Sequence, residues 1–252
     1  MTIERALTQI QPNIWRLIAP NPSVMTGPGT NTYIVGQKRV VIIDSGPVNQ
    51  THQDNTVAAI AELGAEVESI IITHPHPDHD SGVQGLAQRL QVPILRFNTP
   101  LRHDEEITID GVSLTVKHTP GHIHAHVCLW MAEQRVLFGA DLVAGEGTIL
   151  IIPPDGDMAD YLRSLQAMKA LEPALILPGH GPVIEDPAGL LQEYTDHRLQ
   201  REQQVLSYFE QGHREANAIA AQIYAGQPPQ VLAIAAMQVT AHLTKLRNEG
   251  RI

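Results

Sequence analysis

The sequence predicts an α/β domain that carries a small helical module at its C-terminal end. Three observations carry this. Short β-branched runs alternate with helix-period segments through the first half of the chain. From Pro187 onward the chain reads as helical throughout. Near residue 197 the charge balance also changes: residues 1–196 hold 11 Lys+Arg and 23 Asp+Glu, whereas residues 197–252 hold 6 and 4.

In chain order, Ile14–Ile18, Thr32–Val35 and Val40–Ile43 read as strands, with a turn at Gly36 to Lys38 between the last two. Residues from about Asn49 to Leu63 have helical spacing (Val57, Ile60, Ala61), and Gly64 closes the helix. Val67–Ile72 reads as a short buried strand. Ser81–Leu90 reads as a helix capped by Asp80 or Ser81, and Pro93–Phe97 as a further strand. Asp110-Gly111 is a two-residue turn signal, so Ile107–Ile109 and Val112–Val116 form a hairpin. Val127–Met131 and Arg135–Gly139 suggest a second hairpin. A helix over Met158–Leu171 and a strand over Ala174–Leu177 follow. The tail divides into helices at about 197–210, 214–224 and 229–248. Two units are therefore expected, 1–196 and 197–252.

Composition narrows the function classes. With 43% hydrophobic and 17% charged residues, 252 residues suffice for a large buried core. No apolar run approaches a membrane span, and the Met1–Arg5 start lacks the pattern of a secretory signal. A cytoplasmic location and no membrane partner are expected. The lone Cys128 excludes an internal disulfide or a thiolate cluster within one chain, and its apolar neighbours suggest a buried, inert thiol. A net charge of −10 disfavours non-specific nucleic-acid binding. Thirteen histidines are the unusual feature.

The candidate ligand positions lie within or just after strand-like runs. In Thr73-His74-Pro75-His76-Pro77-Asp78-His79, His74 and His76 are two apart in an extended stretch, so their imidazoles share a side. The following prolines bias both away from helical angles. Asp78 and His79 enter the next helix facing back. Four N/O donors within six residues exceed what one metal with an open position needs, and suit two metals about 3.5–4 Å apart. His118-Thr119-Pro120-Gly121-His122, Phe138-Gly139-Ala140-Asp141 and Leu177-Pro178-Gly179-His180 each place a further donor after a strand. Asp44, also at a strand end, is the candidate for orienting a ligating histidine; capping the turn at Gly46 is the alternative.

These residues, in this order, resemble the metallo-β-lactamase superfamily, in particular the group that includes glyoxalase II-type thioesterases and the mitochondrial β-lactamase-like endoribonuclease. Pro20-Asn21-Pro22, Gly29-Thr30-Asn31-Thr32-Tyr33, Thr119-Pro120-Gly121-His122, Gly145-Glu146-Gly147-Thr148 and Pro178-Gly179-His180-Gly181 extend the likeness over the whole chain. The resemblance implies a four-layer αββα sandwich with a winged-helix-like module. It implies two Zn2+, with iron or manganese as alternatives. His74, His76 and His122 would hold the first; Asp78, His79 and His180 the second; Asp141 would bridge. A metal-bridging hydroxide would then attack the substrate, with Asp78 aiming it as the catalytic side chain. Asn31 and His126 join Asp44 as residues that support the ligands or touch substrate; for His126 a structural hydrogen-bonded role is the alternative.

Asp141 stands where zinc β-lactamases carry cysteine or serine, which argues against antibiotic hydrolysis. The tail lacks the basic and aromatic cluster of a glutathione-binding extension. Two substrate classes stay open. A small acyl thioester, ester or lactone fits the acidic charge. Single-stranded RNA fits the endoribonuclease likeness and the mildly basic tail. A non-catalytic winged-helix binding module is the reading from another class, and the full set of seven ligands argues against it. Homo-oligomerisation is compatible with all three.

Overall fold

Runs such as Val40–Ile43 and Ile70–Ile72 are apolar on both faces, the pattern of strands covered on both sides. In the computed structural model, which describes residues 7–252, they form the centre of the first of two mixed sheets. The Met1–Arg5 start lies outside the described residues. The backbone divides into two compact units. One comprises the described residues up to His118 with Ala125–Gly147 and Ala174–Glu185. The other comprises Thr119–His124, Thr148–Pro173 and Asp186–Ile252.

The first unit holds both sheets. Strands β1 (Thr8–Gln11), β2 (Ile14–Ile18), β3 (Asn31–Gly36) and β4 (Arg39–Ile43) pair antiparallel in sequence order. Helix α1 (Gln50–Leu63) leads from β4 to β5 (Glu66–Ile72), which pairs parallel to β4. The carboxamide of Asn49 accepts from His52 N–H at the start of α1, and Gly64, at φ 61°, closes it in the left-handed region. A single turn, α2 (Pro77–Asp80), and helix α3 (Val83–Leu90) follow, before the parallel strands β6 (Ile94–Phe97) and β7 (Pro100–Leu101) complete the sheet. The second sheet contains β8 (Glu106–Ile109), β9 (Val112–His118), β10 (Val127–Met131) and β11 (Val136–Ala140), each antiparallel to the next. Its last strand, β12 (Leu175–Pro178), runs parallel to β11. Asp110 and Gly111 both have positive φ, as the two-residue turn requires.

The period of two sorts each strand. Val41 and Ile43 face inward with Tyr33, Val35 and Ile71, packing on Leu114, Val116, Leu129 and Phe138 of the second sheet. Val40, Ile42, Ile70 and Ile72 face outward against Ala59 and Ile60 of α1 and Val83 and Leu86 of α3.

The expected helix from Ser81 differs at its start. Gly82, not Asp80 or Ser81, occupies the N-cap of α3. The Ser81 hydroxyl is committed elsewhere: it donates to Pro77 O and accepts from Val48 N–H. Gly82 itself approaches the 46–47 backbone so closely that a Cβ there would lie 2.6 Å from Pro47 O.

The second unit contains α4 (Met158–Lys169), capped by Asp157, and α5 (Pro187–Glu210), α6 (Ala216–Ile223) and α7 (Pro229–Asn248). The charge step at residue 197 falls inside the unbroken helix α5, because a change in surface charge does not require a break in backbone hydrogen bonding. Val205 packs with Ile219, Ala235, Val239, Leu243 and Leu246 in one apolar cluster that joins the last three helices.

Buried Glu202 on α5 meets Lys245 Nζ at 2.7 Å and Arg251 at 2.5 Å. Burial raises its pKa, but the neighbouring His242, Lys245 and Arg251 outweigh this and bring it to about 2. A depressed carboxyl stabilises the fold above its ordinary range near 4.5 and loses that contribution as pH falls toward 2. Glu202→Gln is expected to cost about 3 kcal/mol at pH 7. Urea unfolding of both proteins checks this: the gap should narrow between pH 5 and pH 2, and a constant gap would count against the ion pairs as its source.

Candidate metal centre

Parallel pairing sets the C-terminal ends of β4 and β5 side by side in one sheet, and those of β11 and β12 in the other. Asp44 follows β4, His74 to His79 follow β5, Asp141 follows β11 and His180 follows β12. The ligand candidates other than His122 thus lie beyond three strand ends of the first unit, with Asp44 on a fourth. The donor atoms of His74, His76 and Asp141 lie within 4.8 Å of one another, and those of Asp78, His79 and His180 do the same. Asp141 reaches both sets: its oxygens lie 3.8 Å from His74 Nε2, 3.4 Å from His79 Nε2 and 3.5 Å from His180 Nε2. Asp78 lies 3.2 Å from His180 Nε2. His122 belongs to the second unit, where its Nδ1 donates to Leu150 O at 2.8 Å, which leaves Nε2 as its lone-pair nitrogen.

Tautomers can be read from the surrounding acceptors. Asp44, held at φ 58°, accepts from Thr73 N–H at 2.8 Å and from the Thr73 hydroxyl at 2.8 Å. Its Oδ2 also lies 2.7 Å from His79 Nδ1. A carboxylate can only accept, so His79 carries its proton on Nδ1 and presents Nε2 to the cluster. With its own proton committed to Asp44, the Thr73 hydroxyl accepts from His74 Nδ1 at 3.0 Å, so His74 also presents Nε2. Sequence reasoning misses Thr73: a threonine at a strand end carries no signal until Asp44 is placed beside it. Asp44→Asn is expected to weaken metal affinity about 10- to 100-fold, measured by competition with a chromogenic chelator. Unchanged affinity in the folded variant would remove Asp44 from this role.

The other supporting candidates are placed as follows. Asn31 Nδ2 donates to Pro178 O and Gly181 O, at 2.9 and 3.1 Å, and so braces the loop that carries His180. Tyr33 adds a bond from its hydroxyl to Pro178 O. His126 is fully buried, and its Nε2 accepts from Asp141 N–H at 3.1 Å. This bond is the structural, hydrogen-bonded role for His126. Cys128 is buried as expected.

The electrostatics and the sterics both suit a cation. Burial favours the neutral form of Asp141, but the charge of His79 and hydrogen bonds from His180 and His79 hold its carboxyl well below the usual range. Burial lowers the pKa of His180, yet bonds to Asp141 and Asp78 raise it to about 9. The protein's own charges therefore draw positive charge into the cluster. His79 Nε2 and His180 Nε2 face each other at 3.2 Å, an approach that needs a proton or a metal cation between the two lone pairs. Gly179 makes the space: a Cβ there would lie 2.4 Å from Asp141 Oδ1 and 2.8 Å from His79 Cε1. Imidazoles and carboxylates in this number suit zinc, and also iron or manganese.

Comparison with known proteins agrees. Residues 25–103 and 95–180 match the family described as the metallo-beta-lactamase superfamily, and residues 216–252 match the beta-lactamase associated winged helix domain. A Drosophila melanogaster protein named beta-lactamase-like protein 2 homolog is 34% identical, covering 100% of this chain and 94% of its own. An Aspergillus chevalieri protein named atrochrysone carboxyl ACP thioesterase is 33% identical, covering 83% of this chain and 70% of its own. A solved metallo-beta-lactamase family protein from Thermus thermophilus superposes with a TM-score of 0.77 at 21% identity, covering 96% of this chain and 95% of that one. That likeness bears out the expected fold class. No helix among the described residues is long and apolar enough to cross a membrane.

Proposed function

The chain belongs to the metallo-β-lactamase superfamily of hydrolases, and we propose that it hydrolyses an acyl thioester, with esters and lactones as related substrates. The observation that carries the chemistry is the convergence of imidazole and carboxylate donors into two sets joined by Asp141. The thioesterase name of the Aspergillus chevalieri relative supports the substrate class. In this reading His74, His76 and His122 would hold one Zn2+, Asp78, His79 and His180 would hold a second, and Asp141 would serve both.

When bound, the two cations supply Lewis acidity for the carbonyl and lower the pKa of a nearby water. The chain's own residues do the positioning. Asp44 and Thr73 fix the tautomers of His79 and His74. Asp78, at the more open side of the cluster, accepts a hydrogen bond from the attacking water and aims it. Water adds to the acyl carbon, the C–S bond breaks, and a carboxylate and a thiol leave. The substrate partner is a small acyl compound.

RNA cleavage is the competing chemistry for the same cluster. The winged-helix segment argues against it: its basic residues are Lys245, Arg247 and Arg251, and two of these pair with Glu202 and Glu249. The deciding experiment sets zinc-reconstituted protein against a panel of acyl thioesters and lactones in one arm and labelled single-stranded RNA in the other. His76→Ala serves as the contamination control. Turnover confined to the acyl arm and lost in His76→Ala is the expected result. Turnover confined to RNA would overturn the proposal.

A further inference from the structure

A guanidinium buried away from water is stable only where acceptors surround it. Arg198 of α5 is 3% exposed, and neutral groups hold it. Its Nη1 donates to Gln238 Oε1 at 3.3 Å, and its Nη2 donates to the Thr148 hydroxyl at 2.8 Å and to Ile149 O. The Tyr161 ring of α4 faces the guanidinium carbon at 5.4 Å. Gln238 of α7 is buried too, and it holds Ile151 twice: Oε1 accepts from Ile151 N–H at 3.3 Å, and Nε2 donates to Ile151 O at 3.0 Å. Leu150 is therefore gripped through both of its neighbours. Its own carbonyl accepts from His122 Nδ1 at 2.8 Å. The segment that carries His122 is pinned to α4 in turn: the Ser164 hydroxyl donates to Pro120 O at 2.7 Å, and Asp157 N–H donates to Gly121 O at 2.8 Å. All of these groups belong to the second unit.

We propose that Arg198 and Gln238 are positioning residues for His122. By fixing the backbone on each side of Leu150 they keep its carbonyl on the imidazole Nδ1–H and leave Nε2 as the lone-pair nitrogen. The inference rests on the reading of His122 as a Zn2+ ligand and goes beyond it, because it gives the C-terminal helices a share in metal binding. An imidazole whose outer N–H lacks a fixed acceptor divides between two tautomers, and only one of them offers Nε2 to a cation. A loop carbonyl fixes that tautomer only when the loop itself is fixed. The bonds from Arg198 to Thr148 and Ile149, and from Gln238 to Ile151, do the fixing. Lysine does not replace Arg198, since one ammonium cannot span the planar fork that serves Gln238, Thr148 and Ile149 together.

Zinc affinity of the full chain, read by competition with a chromogenic chelator, tests this in a cycle of Gln238→Leu and His122→Asn. Gln238→Leu is expected to weaken affinity about tenfold in the otherwise wild-type chain and to add nothing in the His122→Asn background. Arg198→Lys, which keeps the charge, should behave alike, and it carries the test if circular dichroism shows Gln238→Leu unfolded. Glu202→Gln is the control for a weakened module: it breaks the buried pairs to Lys245 and Arg251 and should bind zinc as wild type does. In parallel, long-range proton–nitrogen NMR of the metal-free chain reads which His122 nitrogen carries the proton. Nδ1 is expected in wild type and a mixture of tautomers in Gln238→Leu and Arg198→Lys. Where His122→Asn weakens binding, unchanged zinc affinity in both clamp variants would overturn the proposal. So would an equal loss in the His122→Asn background or in Glu202→Gln, since the effect would then not run through His122. If His122→Asn itself bound zinc like wild type, the ligand reading would fall. The tautomer would then decide alone, a shift in the clamp variants upholding the proposal and no shift overturning it.

Discussion

Asp141→Ala should lower metal content to below one ion per chain and reduce turnover about a thousandfold. Asp141 is the side chain whose oxygens reach members of both donor sets, at 3.4 Å from His79, 3.5 Å from His180 and 3.8 Å from His74. Its removal leaves the imidazoles of His79 and His180 facing each other at 3.2 Å with no carboxylate between the sets. Lewis-acid stabilisation of several kcal/mol depends on the ions being held, which converts to the stated factor. The backbone N–H of Asp141 still reaches His126, so the β11 end keeps its path and the fold should persist. Elemental analysis and circular dichroism check both halves. Two ions per folded chain in the variant would show that Asp141 does not join the sets.

Gly179→Ala should cost about a hundredfold in activity from one methyl group. The residue's φ is not in the left-handed region, so backbone strain is not the cause. The cause is space: the new Cβ would lie 2.4 Å from Asp141 Oδ1, 2.8 Å from His79 Cε1 and 3.2 Å from the Ala140 carbonyl carbon. Two of these atoms belong to ligand side chains held from behind, His79 by Asp44 and Asp141 by its place after β11. The cluster must therefore open by a large fraction of an ångström, and misplacement on that scale is worth about 10²-fold in rate. Overpacking of this size also costs about 1–3 kcal/mol of stability. Steady-state kinetics with a thermal melt separates the two effects. Activity within about threefold of wild type would mean that the loop after β12 yields, and that Gly179 is not a spacer.

Much of the fold and of the cluster was legible in the residues. The hairpin on Asp110-Gly111 could be read because that dipeptide supplies two positive-φ positions at low cost. The run from His74 to His79 could be read because the extended two-residue period and the two prolines constrain it locally. The start of α3 was misread for a non-local reason: Ser81 has a capping side chain, but the loop after β4 claims its hydroxyl.

By itself the sequence determined the element types, the family likeness and the set of metal-binding candidates, because these depend on local periodicity and on residue chemistry. Tertiary structure alone decided the rest. Which strand ends meet depends on the parallel pairing of β4 with β5 and of β11 with β12. Asp44 and Thr73 become tautomer setters only when two strands lie side by side. Arg198 and Gln238 grip the segment around Leu150 only when α5 and α7 bring them together. Each of these depends on contacts between residues far apart in the chain, and composition and spacing do not encode those contacts one segment at a time.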